Sequence, residues 1–127
     1  MRTLRVLIPL FKDEVAPRFD LAAEALLADV TQNVDGEGDC DVGEIKTEDF
    51  LLPHPSADGL CDLILRKDVD VLICGGVEEE YYHYLRWKRV EVLDNVAGAA
   101  RDALESFAQG KLQPGDILFD REEDHAR

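Results

Sequence analysis

Few side chains in this chain stand where chemistry could start, and most of them follow an apolar run. Cys74 closes the run Val71-Leu72-Ile73 and is followed directly by Gly75 and Gly76. A glycine pair lets another group approach the backbone closely, so a thiolate beside it could serve a soft metal such as Cu(I) or an iron–sulfur cluster. The same thiol is more at home as a small buried hydrophobe, the usual state of a free cysteine. His54 stands between Pro53 and Pro55, and that rigid frame lowers the ordering cost of an imidazole offered to a metal. Arg18 and Phe19 follow Pro17. The arginine is a natural clamp for an anion or carboxylate, or else a surface ion-pair partner of Glu14 or Asp20, and the phenylalanine is a plug beneath the loop. Glu80-Tyr81-Tyr82-His83 has the Glu-x-x-His spacing that di-iron bundles use twice. It occurs here once, which fits a solvated helix face better.

The elements that must hold these residues follow from apolar period and turn chemistry. Arg5 to Leu10 reads as a strand buried on both faces, with Pro9 marking its end because proline cannot donate to a ladder. Lys12 to Asp20 reads as a loop. Ala25 to Thr31 is apolar but ambiguous alone. The turn formers between Asn33 and Asp39 make a hairpin to a third strand over Asp41–Phe50 the economical reading. From Ser56, an acceptable N-cap, Ala57, Leu60, Cys61, Ile64 and Leu65 keep helical spacing. Cys61 therefore packs inward, whereas Cys40 falls in an acidic turn. Val71–Cys74 is a second buried strand. Glu78-Glu79-Glu80 suits the first turn of a helix whose inner face is Val77, Tyr81 and Leu85. Val90–Leu93 is a strand, and Asn95 could cap a helix with the stripe Val96, Ala100, Ala103, Leu104 and Phe107. Gly110 would end that helix in the left-handed region. A polar tail from Gln113 is expected to fray.

The sum is an α/β fold: a three-strand meander, then alternating helices and strands, giving a mixed sheet of about five strands with about three helices. Helical crossovers make the later strands parallel, and ligands of such sheets sit at the carboxyl ends of the strands. Those ends lead into Leu10–Asp20, Gly75–Val77 and Asp94–Gly98, with His54–Gly59 entering the first helix nearby. Residues 1–112 form one domain and 113–127 the tail.

Composition narrows the function classes. The chain has 127 residues with 14 Lys+Arg against 28 Asp+Glu, a net charge of −14. With no basic cluster to meet phosphates, nucleic acid is not the expected partner. No apolar run approaches the roughly 20 residues of a membrane helix, and no signal-peptide pattern opens the chain. Three cysteines far apart suggest neither disulfides nor a zinc site, so a cytoplasmic protein is expected. A catalytic constellation is missing too. The first strand has no carboxylate, Asp70 opens its strand instead of closing it, and no G-x-S-x-G, H-E-x-x-H or phosphate-loop pattern occurs. Tyr81, Tyr82, Tyr84 and Trp87 among the acids of 78–80 offer another prospect, a protein partner docking through Glu78 to Trp87, since such aromatics are enriched at interfaces.

Four segments resemble the dinitrogenase iron-molybdenum cofactor biosynthesis family. They are Val6-Leu7-Ile8-Pro9 with Val15-Ala16-Pro17-Arg18-Phe19-Asp20, then Asp68-Val69-Asp70-Val71-Leu72-Ile73-Cys74-Gly75-Gly76-Val77, then Arg89-Val90-Glu91-Val92, and last Ala103-Leu104-Glu105-Ser106-Phe107 with Gly110-Lys111-Leu112. Together they span roughly residues 4 to 112. The resemblance implies a ribonuclease H-like fold and a non-catalytic protein that binds or carries a metal–sulfur cluster containing iron or molybdenum. On these residues it would place Arg18, Phe19, Gly75 and Gly76 around the cluster, with Cys74 and His54 as metal ligands. The chain departs from the family where Asp20 replaces a usual glycine and Glu78–Glu80 replace small residues, and these charges would repel an anionic cluster. The alternative is a regulatory or protein-interaction domain that keeps the fold and has lost the ligand.

Overall fold

The computed structural model describes residues 2–34 and 40–118. Residues 35–39 of the expected turn and 119–127 of the expected tail lie outside them, as does the side chain of Cys40.

Strand β1 (Arg2–Phe11) is central. A two-residue turn returns it to β2 (Glu14–Val15), and a 3-10 turn over Phe19–Leu21 leads to β3 (Glu24–Val34) and β4 (Cys40–Leu51). Helix α1 (Ala57–Arg66), β5 (Val71–Ile73), α2 (Glu79–Trp87) and β6 (Glu91–Leu93) follow. The chain then forms β7 (Ala97–Gly98), α3 (Ala100–Ala108) and β8 (Ile117–Leu118). The main sheet runs β4-β3-β1-β5-β6, with β2 paired to β1. β3 is antiparallel to β1 and β4, whereas β1–β5 and β5–β6 are parallel. The expected mixed α/β sheet is therefore present, and the ambiguous stretch after Ala25 is a strand.

Strands buried on both faces explain the continuous apolar runs. Leu7, Leu27, Leu72 and Val92 point to one side and pack against α1 and Leu85 of α2. Val6, Ile8, Val30, Val71, Ile73 and Leu93 point to the other, against Ala100, Ala103 and Leu104 of α3. Two helices thus cover one face and one helix the other. Ser56 caps α1 as expected, its Oγ accepting from the Gly59 N–H at 2.9 Å. Ser56→Ala should lower the unfolding free energy by about 1 kcal/mol, measured by urea denaturation, and an unchanged midpoint would refute the cap's contribution.

Three expectations need correction. Pro9 does not end β1, which continues to Phe11. Its carbonyl accepts from the Ala16 N–H at 2.8 Å, and a strand residue directs both backbone groups to one side. The missing N–H therefore faces the β2 hairpin and leaves the ladder to β3 intact. Asn95 does not cap a helix. It adopts φ +58°, a left-handed conformation asparagine tolerates, and α3 begins later, after Ala99. The start of the expected tail is also bound down. Ile117–Leu118 pair in parallel with Ala97–Gly98, and the Gly115 N–H donates to the Asp94 carbonyl at 2.9 Å. Gly98 makes this possible: at φ +122°, a Cβ there would lie 2.6 Å from the Leu118 carbonyl.

Candidate functional site

Parallel β1, β5 and β6 deliver three segments to one end of the sheet, and hydrogen bonds lock them side by side. Beyond β5 the chain runs on through Cys74, Gly75 and Gly76. On one flank the Gly76 N–H donates to the Pro17 carbonyl at 2.7 Å and the Phe19 N–H to the Gly76 carbonyl at 2.8 Å. On the other flank the Cys74 N–H donates to Leu93, Val96 donates to the Cys74 carbonyl and Asn95 to the Gly75 carbonyl, at 2.9 to 3.0 Å.

The glycine pair has two different purposes. A Cβ on Gly75 would lie 2.4 Å from the Ala16 carbonyl oxygen and 2.5 Å from that of Pro17. The close approach read from the sequence is thus made by the chain's own loop. A Cβ on Gly76 would meet only the Pro17 oxygen, at 3.4 Å. Beside Gly76 opens a cleft of about 360 Å³, walled by Glu14, Val15 and Pro17 on one side and Asn95 to Gly98 on the other. This is the crevice expected at the carboxyl ends of the strands.

Of the residues singled out in the sequence, Gly75 and Gly76 border this cleft, and the others take different positions. Cys74 is fully buried on the α1–α2 side of the sheet, among Phe19, Leu60 and Leu85. Burial, with a smaller contribution from Asp94, pushes its thiol up to about 12, so at neutral pH it is a thiol and not a thiolate. His54 is exposed on the connection before α1. Phe19 is 1% exposed and lies under the loop, its ring 6.1 Å from that of Tyr81. The Arg18 guanidinium is held by Asp20, with Nε–Oδ1 at 3.1 Å and Nη2–Oδ2 at 2.9 Å. On α2, His83 approaches Glu79 at 3.4 Å instead of Glu80. Among the described residues no three histidine, cysteine or carboxylate side chains converge to hold a metal ion. Asp70 lies at the opposite end of β5 from the cleft, its Oδ2 accepting from the Arg5 N–H at 2.8 Å.

Reading the sequence placed Leu10–Asp20 and Asp94–Gly98 at the crevice but did not single out Glu14 and Asn95 within them as cleft residues. Asp94-Asn95, two turn formers between apolar residues, was a usable signal, whereas β2 is too short to announce itself.

The buried thiol has a pH signature. A group whose folded pKa lies above its ordinary value of 9.0 keeps its proton in the native state while the unfolded chain loses it. Between about pH 9 and 12 the unfolded state therefore binds fewer protons, and stability falls as pH rises. Cys74→Ala should flatten that part of the stability–pH curve relative to wild type, measured by urea unfolding at several pH values. Parallel curves would rule the thiol out as its origin.

No protein-family model matches the sequence, and no curated protein matches it. Solved structures do. The crystal structure of the protein PH0822 is similar with a TM-score of 0.67 and 22% identity, over 87% of this chain and 94% of that one. A crystal structure from Methanocaldococcus jannaschii, of the protein MJ0327 provisionally named a dinitrogenase, has a TM-score of 0.61 and 21% identity, over 89% of this chain and 95% of that one. An NMR structure from Thermotoga, of the protein TM1290 provisionally named a NifB protein of the DUF35 family, has a TM-score of 0.57 and 22% identity, over 94% of this chain and 98% of that one. At these identities the shared property is the fold. Among the described residues no helix is long and apolar enough to cross a membrane.

Proposed function

We propose that this chain is a non-catalytic binding protein of the dinitrogenase iron-molybdenum cofactor biosynthesis type, and that its cargo, a metal–sulfur cluster, is seated in the cleft beside Gly76. The observation that carries the reading is the cleft itself. It lies where parallel strands present their carboxyl ends, and two loops cross-linked through the glycine pair hold its walls apart. Likeness of fold to proteins named for dinitrogenase and NifB supports the cargo class. The residues around the cleft do not supply a thiolate or an imidazole, so the seat is a shape and not a ligand cage. Cys74 takes no part, because its side chain belongs to the α1–α2 core, whereas the cleft walls Val15 and Val96 belong to the core on the opposite face.

A second reading, a regulatory or interaction domain that keeps the fold without the cluster, is favoured by the buried thiol of Cys74. One experiment separates them. Anaerobic incubation of the apoprotein with iron and sulfide, or with molybdate, copper and sulfide, should yield a visible chromophore that survives gel filtration. Gly76→Trp, which fills the cleft, should abolish it. Wild-type protein that stays colourless and free of metal favours the second reading.

A further inference from the structure

The groove between α1 and α2 lies on the helical face of the sheet and shares no residue with the cleft. It holds about 390 Å³. Asp58, Asp62 and Leu65 of α1 recur at i, i+4 and i+7, and Glu80, Tyr84 and Trp87 of α2 do the same, so each helix presents a single stripe. Asp58, Cys61, Asp62 and Leu65 line one wall, and Glu80, Tyr81 and Tyr84 line the other.

We propose that this groove docks a basic peptide segment of a partner protein, with an arginine or lysine side chain laid between the two helices. Such a side chain needs an apolar bed for its methylenes and carboxylates for its head. Leu65 and the rings of Tyr81 and Tyr84 make the bed. Asp58 and Glu80 make the acceptor, because among the described residues no cation of the chain lies within ion-pair distance of either. Asp58 only receives the Tyr81 hydroxyl, at 3.4 Å, while Asp62 is already taken by Arg66 at 2.7 Å. Desolvation is the main cause that raises the Cys61 thiol and the Tyr81 hydroxyl, and the carboxylates add to it from both walls, Asp58 at Cys61 and Asp58, Glu80 and Glu78 at Tyr81.

The aromatic surface continues beyond the groove, which favours a peptide over a small cation. Tyr84 is 38% and Trp87 73% exposed, with ring centroids 6.4 Å apart. The Lys88 ammonium already takes one face of both rings, 4.5 Å from the Trp87 centroid and 5.8 Å from that of Tyr84, and a partner's cation would adopt the same geometry on the remaining faces. A chain of net charge −14 also draws basic partners in from a distance.

The proposal is independent of any cargo, so its test uses the apoprotein. A phage-displayed random heptapeptide library is selected against it, and the recovered peptides are synthesised and titrated while the fluorescence of Trp87, the only tryptophan, is followed. Recovered peptides should be enriched in arginine and lysine, saturate the signal and weaken with added salt. Asp58→Asn/Glu80→Gln should weaken them at least tenfold, and Glu44→Gln/Glu48→Gln on exposed β4 should leave them within twofold. Peptides without basic enrichment, no saturable peptide at all, or equal binding to the Asp58/Glu80 variant would overturn the proposal. So would spermidine saturating the signal at the same concentration as the peptides, which would reveal a simple cation site.

Discussion

Phe19→Ala is expected to lower the unfolding free energy by about 3–5 kcal/mol, the range for deleting a fully buried phenylalanine. The residue sits in a surface connection, yet its ring is 1% exposed. It packs in the same core as Ala57, Leu60, Cys74 and Leu85, and its N–H is bonded to Gly76. Removing the ring would empty the space between the 3-10 turn, α1 and Tyr81 and unseat the loop that walls the cleft. Because a domain of this size commonly has only about 5–15 kcal/mol of stability, the loss is a large fraction of the total and should move the urea midpoint well below that of the wild type. Urea unfolding followed by circular dichroism reads the change. A loss below about 1 kcal/mol would show that the loop collapses to refill the space and that Phe19 is no anchor.

Gly75→Ala is expected to cost about 3 kcal/mol, while Gly76→Ala costs less than about 1 kcal/mol, although the residues are adjacent and neither has a positive φ. The difference is steric. At Gly75 the new methyl would lie 2.4 and 2.5 Å from two carbonyl oxygens of the backbone, which cannot rotate away as a side chain could. At Gly76 it would meet one oxygen at 3.4 Å and otherwise enter the cleft. Comparing the two alanine variants by urea unfolding cancels the change in unfolded-chain entropy they share. Equal losses would mean that the 16–18 loop yields and that its contact with Gly75 does not hold the cleft open.

The candidate site shows where reading residues one at a time stops working. Cys74 next to a glycine pair looks the same whether the thiol faces a crevice or the core. Along a strand, alternation assigns it to a face, but whether that face meets solvent or helix depends on α1 and α2, packed against it from elsewhere in the chain. The same holds for Arg18. Its neighbour Asp20 was visible as a possible partner, but only the fold places the two carboxylate oxygens against the guanidinium. Glu14 and Asn95 were read as an ion-pair partner and a helix cap instead of cleft walls, because a two-residue strand and a left-handed asparagine acquire meaning only when the hairpin and the segment after β6 close on each other.

What the sequence determined by itself was the order and type of the longer elements: the apolar runs of β1 and β5, the capped stripe of α1, the acidic start of α2 and the glycine that ends α3. These are local matters, decided by period, capping and backbone freedom within a few residues. Only the tertiary structure decided that Gly75 admits the chain's own loop, that Cys74 faces the core and that 115–118 are bound to 94–98. It also decided that stripes from α1 and α2 close into a groove. Each depends on which distant segment arrives alongside, and that is set by burying both faces of the sheet at once.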